Sequence, residues 1–281
     1  MNDGLFVGMQ HLLPQHALAR VVYSLTRNRR RFIKNALISG FVRHFKPDMS
    51  EAAQPDPLAF GSFNEFFTRA LRADARPIDP DPHVLVSPVD GMISQIGPLD
   101  GSQVPQAKGL YYTLDSLLDG RHQYAALFTG GAFATLYLAP FNYHRIHMPL
   151  TGTLRAAWYV PGNLFSVNAI TAASVAGLFA RNERVVCVFE SGPLTFAMIL
   201  VGALFVASME TVWHGEITPR WPRRGCDLAP QPTPLPRGLE MGRFNMGSTV
   251  ILLLPPRAVE WLPGFAAGSG IRVGQAMARI T

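Results

Sequence analysis

Apolar and polar positions follow two different rhythms along the chain. Between residues 12 and 45, Leu18, Val21, Val22, Leu25, Phe32, Ile33, Leu37 and Phe41 recur at steps of about three or four, and Arg20, Arg27, Arg29, Arg30, Arg31, Lys34 and Arg43 fill the gaps. That spacing predicts amphipathic helices with basic polar faces, broken near Thr26-Arg27-Asn28. Phe60, Phe63, Phe66, Phe67 and Leu71 continue the helical spacing behind Ser62, a suitable N-cap with Glu65 three residues on. Pro77, Pro80 and Pro82 then interrupt any regular element. From Val84 onward the period shortens to that of strands. Residues 85–94 predict two short strands about an Asp90-Gly91 turn, and residues 125–138 two more about Thr129-Gly130-Gly131. Further strands are expected over residues 152–160, 185–190 and 194–213. Residues 194–209 are almost wholly apolar, but the run is shorter than the roughly 18 residues of a membrane span and reads better as two buried strands. Residues 215–238, rich in Pro, Arg and Gly, read as a long surface loop, and residues 268–280 as a strand and turn closing a sheet.

The expected fold class is therefore α+β, with N-terminal amphipathic helices followed by a mainly antiparallel β-rich catalytic domain. The division falls near the proline cluster, giving a helical membrane-associating region over residues 1–75 and the β-rich domain over residues 76–281. A chain of 281 residues that is 48% hydrophobic has ample material for a buried core. Its net charge of +6 is concentrated at the start, where no acid lies between Asp3 and Asp48. Basic amphipathic helices of this kind lie in the headgroup layer of an anionic membrane, each cation near the surface adding about 1 kcal/mol of attraction. A helical hairpin packed on its own domain is the alternative. Nucleic acid is a weaker third choice, because no recognition motif or aromatic platform accompanies the charge. Arg20 to Lys34 interrupt any secretory apolar core, so a cytoplasmic location is expected. Two cysteines, Cys187 and Cys226, make no disulfide framework.

The candidate chemistry centres on Gly247-Ser248-Thr249, where a serine enters the aliphatic run 250–254. A glycine before the serine leaves its carbonyl open to approach and permits a strained peptide. The same residues also describe an ordinary glycine turn into a strand. Asp90, His144 and His147 are the possible helpers: a carboxylate orients imidazole, and imidazole withdraws the serine proton. Asp90 alone suits a hairpin turn, and the His-x-x-His pair lacks the partners a metal site requires, so no metal is expected. A membrane-associated serine hydrolase using Asp90, His147 and Ser248 remains open, although Val250 stands where a nucleophile elbow has its second glycine. A non-enzymatic basic lipid-binding protein is the third possibility.

Many segments, in one order, carry a family resemblance: Phe63-Asn64-Glu65-Phe66-Phe67, Ser87-Pro88-Val89-Asp90-Gly91, Lys108-Gly109, Tyr143-His144-Arg145-Ile146-His147-Met148-Pro149, Pro161-Gly162-Asn163-Leu164-Phe165-Ser166-Val167-Asn168, 179–185, Glu210-Thr211-Val212-Trp213 and Glu240-Met241-Gly242-Arg243-Phe244. Together they resemble the prokaryotic-type pyruvoyl-dependent phosphatidylserine decarboxylases. At the expected cut the family signature Leu-Gly-Ser-Thr is matched with Met246 in place of leucine, a volume-conserving change. The resemblance is faintest over residues 219–236. It implies that His147 and Asp90 activate Ser248 to attack the Gly247 carbonyl and split the chain. A β chain of residues 1–247 and an α chain of residues 248–281 would stay associated, and Ser248 would become a covalent pyruvoyl group. That ketone would condense with the amine of phosphatidylserine as a Schiff base and draw electrons as CO2 leaves, with His144 as proton donor. It further implies phosphatidylserine in an anionic membrane as partner, peripheral attachment to the cytoplasmic face of the inner membrane, and, by analogy, a homodimer.

Overall fold

The computed structural model describes residues 3–205, 208–217, 225–228 and 231–281. Three helices open the chain: α1 (Asp3–Leu12), α2 (Gln15–Thr26) and α3 (Arg31–Phe45). The break between α2 and α3 falls at the basic, β-branched-poor stretch where the apolar rhythm lapses. A short helix α4 (Phe63–Phe67) follows, and the Ser62 hydroxyl accepts the Glu65 N–H at its start, satisfying one of the orphan amides. Phe63, Phe66 and Phe67 of α4 pack edge-on against Phe41 of α3 around the fully buried Ile38.

The rest of the chain is strand-rich and antiparallel. Its centre is a nine-stranded sheet among the described residues, whose main path runs Cys226–Asp227, Gly152–Val160, Arg184–Ser191, Leu194–Val201, Thr249–Leu254, Ala132–Tyr137, Gly91–Pro98 and Gly270–Ile271. The aliphatic runs are continuous because both faces of this sheet are covered. Val250, Leu252 and Leu254 enter the core on one face, and Ile251 and Leu253 enter the core on the other. Val185, Cys187 and Phe189 alternate with Val186 and Val188 in the same way. Each such fully buried aliphatic side chain contributes about 1.5–3 kcal/mol. A four-stranded sheet, ordered Gly215–Ile217, Met209–Thr211, Glu240–Phe244 and Arg145–His147, stands beside it and leads directly into the Gly247-Ser248 segment.

Three sequence expectations need correction. Residues 85–94 form no hairpin: Val84–Val86 pairs with Ala276–Ile280, while Gly91–Pro98 pairs with Ala132–Tyr137 in the large sheet. Gly91 is needed for a different reason, since a Cβ there would lie 2.2 Å from the Tyr137 carbonyl oxygen. Residues 125–128 are the end of a helix, His122–Phe128, that buries Ala125 and Phe128, and only Ala132–Tyr137 is strand. The stretch expected as a long loop is partly bound to the sheet. Thr233–Leu235 and Cys226–Asp227 both pair along Gly152–Val160, while residues 218–224 and 229–230 lie outside the described residues. The two buried strands expected within residues 194–213 are present, Leu194–Val201 and Met209–Thr211, with 206–207 outside the described residues. Among the described residues no helix is long and apolar enough to cross a membrane.

Candidate active site

Ser248 sits one residue before the central strand, fully buried, and its carbonyl accepts the Leu138 N–H at 2.9 Å. Its Oγ has no hydrogen-bond partner. Leaving a buried hydroxyl unpaired costs about 1–3 kcal/mol, so such atoms gather where function needs them. A second orphan lies beside it. The ring of His144 is also fully buried, and its Nε2, again without a partner, is 3.5 Å from the point where a Cβ on Gly247 would be. The other ring nitrogen, Nδ1, is 2.9 Å from the Asn142 carbonyl. A carbonyl only accepts, so Nδ1 carries the hydrogen and Nε2 presents a lone pair toward Gly247. Burial lowers the His144 pKa to about 3, and the nearby Arg69 guanidinium pushes in the same direction, so the ring is neutral at neutral pH. Phe67 of α4 lies against the imidazole at a centroid distance of 4.1 Å and fixes its plane.

Gly247 itself is not in the left-handed region, and its nearest contacts to an added Cβ, 3.5 and 3.6 Å, are ordinary. The strained Gly-Ser peptide expected from sequence is not what calls for glycine. A side chain here would fill the gap between the His144 lone pair and the peptide.

His147 and Asp90 stand further out. His147 Nδ1 donates to the Gly238 carbonyl at 2.8 Å, and its Nε2 accepts the Tyr143 hydroxyl at 2.9 Å. Burial lowers its pKa, against which the Asp90 and Glu240 charges raise it. Asp90 is held by Arg76 Nε at 2.9 and 3.1 Å and by the Val273 N–H at 2.9 Å. Glu51 shares the same guanidinium, 2.7 Å from Arg76 Nη2. Thus the structure brings Ser248, Gly247 and His144 together, and joins Asp90 to His147 through charge rather than a direct bond. Among the described residues, no group of His, Cys, Asp and Glu could hold a metal ion.

A cavity of about 270 Å³ opens on Ser248 and Gly247 and is walled by Phe41, Phe45, Phe67 and Val167. Phe41 and Phe45 come from α3, and Ser166 also lines the cavity. Gln10 and Gln15 tie α1 and α2 to the facing segment, accepting the Ser166 N–H at 2.8 Å and the Leu164 N–H at 2.7 Å. Sequence reasoning missed Phe67, Asn64 and Tyr143 as parts of the site. All three lie in motifs quoted above, Phe67 and Asn64 in residues 63–67 and Tyr143 in residues 143–149, but helical spacing accounts for Phe67 as packing and gives no partner for the other two.

Comparison with known proteins shows the family. A sequence model of the family described as phosphatidylserine decarboxylase matches residues 63–279, and one described as PSD matches residues 5–46. The chain belongs to the phosphatidylserine decarboxylase family, and it is an enzyme, a decarboxylase. It is 50% identical to a phosphatidylserine decarboxylase proenzyme of Azotobacter vinelandii over 99% of this chain and 98% of that one. Similar proteins of the same description occur in Bordetella avium, 50% identical over 99% and 95% of the two chains, and in Shewanella frigidimarina, 48% identical over 99% of each.

Proposed function

We propose that this chain decarboxylates phosphatidylserine to phosphatidylethanolamine after cutting itself between Gly247 and Ser248. The observation that carries the reading is the pair of buried, unpartnered atoms, Ser248 Oγ and His144 Nε2, flanking Gly247 at the end of an apolar cavity. Ser248 Oγ adds to the Gly247 carbonyl, the amide C–N bond breaks, and the hydroxyl proton passes to the freed nitrogen, leaving an ester. Loss of the Ser248 Cα proton then breaks the ester Cβ–O bond and releases Gly247 as a carboxylate, and the enamine left behind, as its imine, takes up water and expels ammonia to leave a pyruvoyl group at position 248. His147 withdraws the hydroxyl proton once Tyr143 releases its Nε2, with the Asp90 charge favouring the protonated ring. The pyruvoyl group fits here, because the residue it replaces is buried, makes no side-chain bond and faces the cavity. It supplies an electrophilic ketone that accepts electrons from the carbon losing CO2. His144, already beside that centre with a free Nε2 lone pair, would take a proton from the substrate's ammonium as the amine enters and give it to the carbon once CO2 has left, and Phe41, Phe45 and Phe67 keep water from competing.

The substrate stays in its bilayer. Leu12, Val21 and Phe32 are 87, 63 and 71% exposed on α1–α3, interleaved with the exposed Arg20, Arg30, Arg31 and Arg43. This mixture suits peripheral attachment of residues 1–75 to the anionic cytoplasmic face of a membrane, with the cavity mouth turned toward the headgroups. Intact mass of the purified protein tests the cut. Two fragments are expected, the smaller carrying the pyruvoyl mass, and Ser248→Ala should stay whole and inactive. A single unmodified chain that a fluorophosphonate labels at Ser248 would overturn this reading in favour of a serine hydrolase.

A further inference from the structure

The four residues between the Glu240–Phe244 strand and the Thr249–Leu254 strand contain the bond to be cut. At the downstream end, the Ser248 carbonyl is fixed by the Leu138 N–H. At the upstream end, Asn245 is held at every polar group it has. Its N–H donates to the Ser208 carbonyl at 3.1 Å, and its carbonyl accepts Asn64 Nδ2 of α4 at 3.1 Å. Its side-chain Nδ2 donates to Ser208 Oγ at 2.7 Å and to Glu216 Oε1 at 3.3 Å, and its Oδ1 faces Asn64 Nδ2 at 3.3 Å. Only Met246 and Gly247 hang between the two clamps.

The upstream clamp is anchored far away in the chain. Ser208 Oγ donates to Glu216 Oε1 at 2.5 Å and accepts from both Asn245 Nδ2 and Arg27 Nη2, the latter at 3.0 Å, so the hydroxyl's one hydrogen and both lone pairs are in use. Arg27, in the joint between α2 and α3, also ion-pairs with Glu216 and lies over the Tyr23 ring at 3.7 Å. Tyr23 hydroxyl donates to Glu216 Oε2 at 3.1 Å. Asn245 and Ser208 are buried while Arg27 and Glu216 close the network toward solvent. A charged pair that is only a surface tie would not need a buried serine and asparagine between it and the cut.

We propose that Arg27, Glu216 and Ser208 are positioning residues for self-cleavage, acting through Asn245 to set the Gly247 carbonyl against Ser248 Oγ. This rests on the self-cleavage proposed above. Attack requires near-contact geometry, and an error of about 1 Å can slow a reaction on the order of a hundredfold. Loosening one of two clamps, with the other kept, should slow the cut by about tenfold or more.

The test follows the cut in freshly synthesised full-length chain, as the fraction split against time on a denaturing gel. Asn245→Ala, Ser208→Ala, Arg27→Glu and Glu216→Arg are each expected to slow it about tenfold, and the double variant Arg27→Glu with Glu216→Arg to recover most of the rate. Ser208→Ala removes a single oxygen and keeps the fold if the reversed charges do not. Melting temperatures, taken on a Ser248→Ala background where nothing is cut, separate slack from unfolding. Unchanged rates in Asn245→Ala and Ser208→Ala would overturn the proposal, as would slowing that tracks lost melting temperature and is not recovered by the charge exchange. A wild-type chain that never splits would instead overturn the self-cleavage reading itself.

Discussion

His144 offers a quantitative test of how the site is built. Its pKa falls from 6.5 to about 3 because burial penalises the imidazolium, with Arg69 adding repulsion. The folded value lies below the unfolded one, so the stability contributed by keeping this ring neutral is fully present above pH 6.5 and is lost as pH falls toward 3. Each pH unit inside that window removes up to about 1.4 kcal/mol, which makes the loss from pH 7.5 to pH 5 about 2 kcal/mol. For a protein of this size that corresponds to about 4–8 °C in melting temperature. His144→Asn keeps a donor for the Asn142 carbonyl but cannot take up a proton, so it should lack this increment. Both forms are measured on the Ser248→Ala background, so that cutting does not complicate the melts. The wild-type ring should steepen the acid side of the profile relative to His144→Asn. Parallel profiles between pH 7.5 and 5 would refute the idea that a buried neutral imidazole faces Gly247. His147, also lowered by burial, adds a slope of the same sign in both proteins and cancels in the comparison.

Other expectations follow from the same geometry. His147→Ala and Asp90→Asn should stop or strongly slow the cut, whereas His144→Ala should still cut and then decarboxylate poorly; gel and activity measurements giving the reverse pattern would exchange the roles assigned to the two histidines. Leu252→Ala, in the fully buried central strand, should cost about 2–5 kcal/mol in chemical denaturation. Gly91→Ala should be destabilising despite its small size, because its Cβ meets a backbone carbonyl at 2.2 Å, and a melting temperature equal to that of the parent would contradict the packing described. Replacing Phe32 and Val21 with aspartate should weaken flotation with anionic vesicles while leaving the fold intact, and undiminished flotation would remove α2 and α3 from the membrane contact.

Periodicity and capping made α2 and α3 legible, down to the break after Thr26, and the Ser62 cap as well, because these are local effects of side-chain spacing and backbone amides, whereas α1 lies ahead of the stretch in which the apolar rhythm is read. The Ser248, His144 and His147 segments were visible through their motifs. What could not be read was the partner of each element. Asp90-Gly91 carries a hairpin signal, yet its glycine answers a carbonyl in a strand far along the chain, a constraint that only tertiary contact reveals. Residues 125–128 are apolar enough for strand or helix, and burial against the sheet decides for helix. Likewise the sequence places two histidines three residues apart without saying which one faces the peptide; the Asn142 and Gly238 carbonyls and the Tyr143 hydroxyl settle their orientations.

The Thr249–Leu254 strand is bonded on one side to Ala132–Tyr137 and on the other to Leu194–Val201. Under the proposed self-cleavage, this fixes the order of events in the life of the molecule. A peptide released before assembly would have to insert itself between these two strands and pair with both. The geometry at Gly247 exists only after that insertion is complete. Maturation by self-cleavage would then act as an inspection step: a molecule that had misassembled its central sheet would never acquire its reactive group, and the pool of working enzyme would contain only chains that folded first.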